Sequence, residues 1–431
     1  MRLTLLSGFL LVSLLPGVSQ SPLTPDLTGY VTQVISPTDF DVNGKQIHLS
    51  AKTSILIELP PTPDANHQYG NVSLQNFKPY LGQELAVYGS FSKKLHAIDA
   101  YDIRLHIRKP HEVSGHAIID AVPPLPSGTS PSSKLIRADG YTILLTSSTN
   151  SEFEKPLSSP NDIDVNVWIT FKGTQRLDGV LVADKASFSK NTISRTLDKQ
   201  REKWEYDPDT VDPDTHQSGI DKAFRGINPK QFPPYKDPAM QARIEAIGAK
   251  LIPRYQSQFS GTEATRIDFR FYLTDAPQWR DAMPLPNGII LVPYQLISRM
   301  QNDSQLATLL ADKVACLLEK QPVFLPASNG DLAAGAAEEA VAVLVPFAGL
   351  AMGATAIPVG IHASEQIHRN QEQRERVSLA LLHDAGYDLN EAPLAYWLLA
   401  SKTAKPISQI YMPDNVRYLY QFLGQTWTPQ N

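Results

Sequence analysis

Between Gly29 and about Ser189 the chain alternates short β-branched and aromatic runs with Gly, Pro, Asn and Asp, the pattern of strands joined by tight turns. Two stretches of it resemble each other. The first passes from Gly29-Tyr-Val through Phe40-Asp-Val-Asn-Gly44 and Leu85-Ala-Val-Tyr-Gly89 to Ala97-Ile-Asp-Ala100. The second passes from Gly115-His-Ala through Ala138-Asp-Gly-Tyr-Thr-Ile143 and Trp168-Ile-Thr-Phe-Lys-Gly173 to Ala183-Asp-Lys-Ala186. Gly29 and Gly115 are 86 residues apart, Gly89 and Gly173 84, and Ala97 and Ala183 86. A nearly constant offset predicts two copies of one small all-β barrel, residues 26–108 and 112–192.

After a polar, charged linker at 193–234 the period changes. Ile244, Ile247, Leu251 and Ile252 predict a helix from Pro238 to about Tyr255. Arg266 to Leu273 alternates as a strand, with Ile267, Phe269 and Phe271 on one face. Asp281 to Val292 is a turn feeding a second strand, and Tyr294 to Met300 begins a helix. Asn302 or Ser304 then caps a longer helix whose apolar face is Leu306, Leu309, Leu310, Val314, Leu317 and Leu318. Strands mixed with helices make 235–425 an α+β domain, so the fold class is multidomain.

Composition narrows the function classes. The 431 residues suffice for about three units, and 42% hydrophobic residues can bury real cores. A net charge of -5 argues against nucleic-acid binding, which needs a strongly basic domain. The single cysteine, Cys316, excludes an internal disulfide framework and a zinc site of several thiolates. At the N-terminus, Arg2, the apolar run Leu3–Leu15, Pro16 and the small Gly17 and Ser19 read as a secretory signal peptide, 1–19, cleaved near Ser19. No cysteine follows that run, which excludes a bacterial lipid anchor. The mature protein is expected to be secreted or periplasmic.

Each repeat copy resembles the OB-like domains of uncharacterised function found in secreted bacterial proteins. OB barrels that bind oligonucleotides or sugars use aromatic platforms in a basic groove. Neither copy shows one, so a protein-contact or spacer role is expected. His106, His111 and His116 are spaced by five across a strand, the Pro110 turn and the next strand, and read as surface histidines on edge strands. In the linker, Asp207-Pro-Asp-Thr-Val-Asp-Pro-Asp214 imitates a calcium loop. It lacks the central glycine, and position twelve is Ser218 instead of a bidentate glutamate, so a solvated linker is expected.

The C-terminal half resembles a known family, the gluzincin zinc metallopeptidases of the HtpX and CAAX-prenyl-protease type. Members carry an N-A-F-x-x-P-G-G-x-I-x-V strand, an H-E-x-x-H helix, a second helix with E-x-x-x-D, and then A-G-Y-D. The strand stands here as Asp281-Ala-Met-Pro-Leu-Pro-Asn-Gly-Ile-Ile-Leu-Val292, and the last motif is intact as Ala385-Gly-Tyr-Asp388. The resemblance covers about residues 235 to 425 and implies a gluzincin-like domain with a zinc site.

The catalytic positions depart. Residues i and i+4 of H-E-x-x-H bring two imidazoles to one zinc, and the glutamate activates the metal-bound water. These positions read Asp312-Lys313-Val314-Ala315-Cys316. Counting back from Ala385, the family's third ligand falls on Gln371 and its aspartate on Glu375. A lysine ammonium is no base, and an amide is a poor zinc ligand. No catalytic residue and no cofactor are therefore expected, and Asp312 and Lys313 read as ordinary helix surface beside a small buried Cys316. An alternative donor set for zinc is Asp312, Cys316 and His368, one turn before Gln371. On that reading the chain is an active metalloendopeptidase with a non-standard site.

No G-x-S-x-G elbow, P-loop or dinucleotide fingerprint offers other chemistry. Ala340 to Ile361 is uncharged and long enough to span a bilayer, but its prolines and glycines favour a buried or lid-like helical hairpin. Membrane contact through this segment is the alternative. These observations point to a pseudopeptidase of the cell envelope that binds protein or peptide without hydrolysis. A structural or interaction protein of the envelope is the third class.

Overall fold

The computed structural model describes residues 24–59, 68–106, 109–128, 130–195, 197–198, 201, 206–209, 232–277, 281–321, 359–400, 407 and 410–427. The expected signal peptide at 1–19, Asp212 and Asp214 of the acidic motif, and all but the last three residues of Ala340–Ile361 lie outside them. Among the described residues no helix is long and apolar enough to cross a membrane.

Barrel 1 consists of β1 (Leu27–Val34), β2 (Asp39–Val42), β3 (Lys45–Leu59), β4 (Gln68–Asn71), β5 (Glu84–Ser92) and β6 (Ala97–Leu105). The order β2-β1-β5-β6-β3-β4, with β2 also paired to β3, closes five strands into an OB-like barrel. Barrel 2 repeats this with β7 (His111–Ala121), β8 (Lys134–Ala138), β9 (Tyr141–Leu145), β10 (Asn150–Phe153), β11 (Val167–Gln175) and β12 (Leu181–Lys190), closed through β9 and β12. Alternation fills each interior: Val31, Phe40, Ile47, Leu85 and Ile103 in barrel 1, and Ile119, Ile136, Ile169, Phe171 and Phe188 in barrel 2.

The copies are real, but two of the three sequence matches are out of register. A bulge at Tyr88/Gly89 and another at Lys172/Gly173 confirm the offset of 84 in β5 and β11. Gly115 lies opposite Phe171 as Leu27 lies opposite Val87, so its counterpart is Leu27, 88 residues away, not Gly29. Ala183 pairs with Gly173 as Ala100 pairs with Gly89, an offset of 83. Lone Gly and Ala-x-x-Ala matches slide along a strand, whereas pairing is set by bulges and hairpin length.

The remaining region opens with α1 (Pro238–Leu251), capped by Asp237, which accepts from Met240 N at 3.0 Å. The helix stops before Pro253, earlier than expected, because proline cannot continue it, and α2 (Arg254–Gln258) follows as a separate turn. A small sheet has order β13-β15-β14, with β13 (Arg270–Thr274) parallel to β15 (Ile289–Pro293) and β14 (Met283–Pro284) antiparallel to it. The first strand begins at Arg270, not Arg266, because the Ile267 amide donates to Gln256 Oε1 instead of entering the sheet. Next come α3 (Tyr294–Ile297), α4 (Asp303–Leu318), α5 (Val359–Asp384), α6 (Glu391–Ala400), α7 (Asp414–Phe422) and a π-helical turn at Leu423–Trp427.

The barrels dock through equivalent turns. Asn43-Gly44 and Asp139-Gly140 both take left-handed φ values, 48° and 72° in the first and 54° and 72° in the second. A Cβ on Gly44 would lie 2.6 Å from the Trp397 ring, and one on Gly140 2.5 Å from the Arg376 carbonyl oxygen. Only glycine fits either contact. Barrel 2 and the α+β region share one continuous apolar core, while Trp397, Met412, Val416 and Tyr420 pack with Tyr30 and Leu81 of barrel 1. Barrel 2 is thus packed directly onto the α+β region.

Candidate functional site

Helix α4 begins at Asn302, whose side chain accepts from Gln305 N at 2.9 Å. Ser304 instead receives the Asp388 amide at 3.2 Å, tying the helix to the Ala385–Asp388 motif. The helix ends in a Schellman turn: Gln321 N bonds to Cys316 O, and Lys320 N to Leu317 O. Lys320 holds the left-handed position, φ 49°, that glycine usually takes. Its Nζ is anchored by Asn191 Oδ1 and by Thr192 O.

Every residue from Gln305 to Leu318 is buried, so α4 has no surface face. The expectation for Asp312 and Lys313 is corrected here: they are 4% and 8% exposed. Their face packs against α5 and must be ion-paired to be buried at all. Lys313 Nζ donates to Asp281 Oδ2 at 2.5 Å and to Asp312 Oδ2 at 2.7 Å, and Arg374 Nε faces Asp312 Oδ1 at 3.3 Å. Arg374 also donates to Gln321 Oε1 at 3.0 Å. Two cations thus neutralise two carboxylates at this α4–α5 contact.

Burial opposes the Lys313 ammonium, but Asp281 and Asp312 outweigh it and hold its pKa above the ordinary value. Burial likewise opposes the Asp312 carboxylate, and Lys313 and Arg374 outweigh it and hold its pKa below the usual range. The Cys316 thiol is pushed up to about 11 by burial and rests 3.9 Å from Gln321 O. It stays protonated at neutral pH.

Gln371 and Glu375 sit together on the same side of α5. Gln371 Nε2 donates to Glu375 Oε1 at 3.0 Å, and Asn415 Nδ2 donates to the same oxygen at 3.2 Å. Glu375 Oε2 is buried without a partner, and burial raises the carboxyl pKa to about 8. The carboxyl is therefore mostly protonated at neutral pH.

Of the residues singled out by sequence, Asp312, Lys313, Gln371 and Glu375 converge on the α4–α5 contact, with Cys316 one turn along α4. His368 is turned to solvent, 59% exposed, with Nε2 3.4 Å from Glu372 Oε1. Arg374, Asp281 and Asn415 were missed. Arg374 follows Gln371 by three residues and so shares its helix face, a signal available from spacing alone. Asp281 comes from the loop before β14 and Asn415 from the first turn of α7, both distant in sequence, which no local pattern announces.

The donor set does not fit zinc. Both Asp312 oxygens are engaged by cations, the thiol is protonated, and two positive side chains occupy the space around them. Among the described residues no group of three or more His, Cys, Asp or Glu side chains converges as a metal site. His106 pairs with Glu58 at 3.5 Å and His116 stacks on Trp168 at 4.6 Å. β7 lies between β11 and β8, but β8 pairs with it only at Ile119 and Ala121, so His111 and His116 are exposed on a stretch bonded to β11 alone among the described strands.

The barrel face of α5 is equally charged. Arg376 grips Asp139, with Nη2 2.7 Å from both carboxylate oxygens, and donates to Tyr418 Oη at 2.6 Å. One turn earlier Gln373 donates to His116 O at 2.7 Å, and two turns later Asp384 takes a bidentate contact from Arg137. Residues 373, 376 and 384 thus read barrel 2, while 371, 374 and 375 face α4 and its neighbours.

In barrel 1, Arg104 lies over the Tyr88 and Tyr69 rings at 4.5 and 5.3 Å, an arrangement the sequence pattern did not reveal. Tyr88 is 5% exposed and Tyr69 37%, so the stack is buried on one side and open on the other. No protein-family model matches the chain, and no curated protein is similar to it.

Proposed function

We propose that the chain is a gluzincin-like protein of the cell envelope that binds protein or peptide without hydrolysing it. The observation that carries this reading is the Asp312–Lys313–Arg374 cluster. Metal-dependent hydrolysis needs a cation-binding donor set and a base beside it. Here cations from the protein itself meet the carboxylates. Lys313 stands at the family's base position with its ammonium fixed, and Glu375 carries a proton near neutral pH. Neither side chain is then available to deprotonate water at neutral pH. The apolar N-terminal run supports an extracytoplasmic location.

The mature chain, tested with unfolded casein, is expected to show saturable binding by fluorescence anisotropy and no chelator-sensitive cleavage. Elemental analysis is expected to find no stoichiometric zinc. One zinc per chain, lost together with cleavage in Cys316→Ala, would overturn the reading.

A further inference from the structure

The internal repeat allows equivalent positions of the two barrels to be compared. The matched bulges make Phe91 at the end of β5 the counterpart of Gln175 at the end of β11. Their surroundings differ sharply. Gln175 is 2% exposed, and its Nε2 donates to Gly179 O at 3.1 Å and to Thr426 Oγ1 at 3.0 Å. The chain's own C-terminal turn therefore covers the β11–β12 hairpin. That hairpin also pairs its own charges, Arg176 to Asp178 at 2.5 Å.

Among the described residues barrel 1 carries no such cover. Phe91 is 65% exposed, Leu95 at the hairpin tip 40%, and Tyr101 in the β6 bulge 55%. Between the first two stand Lys93 and Lys94, both exposed, and among the described residues neither makes an ion pair. We propose that the β5–β6 hairpin of barrel 1 seats the protein on an anionic membrane surface.

The shape and the charge favour this occupant. A hairpin tip is convex, so it offers no pocket for a partner's side chain, whereas a lipid interface is soft and closes around a protrusion. The two ammonium groups meet headgroup phosphates while Phe91 and Leu95 reach the acyl boundary, the division of labour found in interfacial anchors. Each lysine beside an anionic surface is worth about fivefold in partitioning at moderate salt. The proposal is independent of the peptidase-like reading and of Ala340–Ile361.

The test is co-sedimentation of the mature full chain with phosphatidylcholine vesicles, with or without phosphatidylglycerol. Binding is expected only with phosphatidylglycerol, falling as salt rises. Lys93→Glu with Lys94→Glu should weaken it by about twentyfold or more. Phe91→Ser with Leu95→Ser should weaken it similarly, while Leu177→Ser in the barrel 2 hairpin leaves it unchanged. Both double variants alter exposed tip residues, and unchanged circular dichroism checks their folding. Equal binding to both vesicle types, no binding, or hairpin variants that bind like the wild type would each overturn the proposal. So would hairpin-dependent binding to polyglutamate without vesicle binding, which assigns the tip to an acidic protein.

Discussion

Arg376→Ala is expected to destabilise the protein by about 3–5 kcal/mol at pH 7, the cost of leaving a buried charge without its partner. Asp139 is 2% exposed, and Arg376 contacts it through two nitrogens while also bonding Tyr418 and lying 5.5 Å from the Tyr141 ring centroid. Burial raises the Asp139 pKa to about 6 even with the guanidinium in place. Without Arg376 the carboxyl must rise further. A raised folded-state pKa gives stability that is present below the unfolded value and lost as pH rises through the folded one. The deficit of the variant is therefore largest at neutral and alkaline pH, shrinks as pH falls to about 6, and is flat below that, where the carboxyl is protonated in both folded proteins. Asp139→Asn in the same chain should recover part of the loss, because a neutral pair no longer strands a charge. Urea unfolding followed by tryptophan fluorescence reads both effects. A loss under about 1 kcal/mol, or a double variant as weak as the sum of the singles, would show that the Arg376–Asp139 contact does not hold α5 on barrel 2.

What was legible in the sequence, and what was not, divides along local against long-range signals. Turn residues and alternation along strands are local, and they announced two similar barrels. Capping at Asn302 is local and was among the expected caps. Pro253 was a local signal passed over, and the predicted helix ran through it. Register is a pairing property, so the Gly29 and Ala97 matches misled by two and three residues although the repeat itself is present. Burial of Asp312 and Lys313 is a property of what lies opposite. On α4 alone these residues look like the polar face of an amphipathic helix. They are buried because α5 brings Arg374, and the loop before β14 brings Asp281, to complete the charge balance. The same holds for barrel 2, whose Asp139-Gly140 turn looks like any hairpin turn until Arg376 is placed on it.

The second large effect is a pH dependence opposite to that of an ordinary ion-paired carboxylate. Glu375 is 1% exposed, with one oxygen held by Gln371 and Asn415 and the other unpartnered. Burial raises its pKa from 4.5 to about 8. Between those values the native state keeps a proton that the unfolded chain has released. Stability from this group is thus complete below about pH 4.5, declines by up to about 1.4 kcal/mol per pH unit, and levels off above about pH 8. Asp139 and Glu319, also raised by burial, act in the same direction. Glu375→Gln removes one of these contributions and leaves the others. The stability difference between variant and wild type should therefore grow steadily in the variant's favour from pH 5 to pH 8. The extra amide N–H adds an offset of about 1–3 kcal/mol against the variant, which shifts the curve without changing its slope. Thermal or urea unfolding across that range supplies the measurement. A difference that stays flat with pH would mean that Glu375 does not hold its proton. A difference that moves in the wild type's favour would mean that Arg374 pairs with it as an anion. Either result would remove a support for the proposed non-hydrolytic reading, which needs Glu375 to carry its proton near neutral pH.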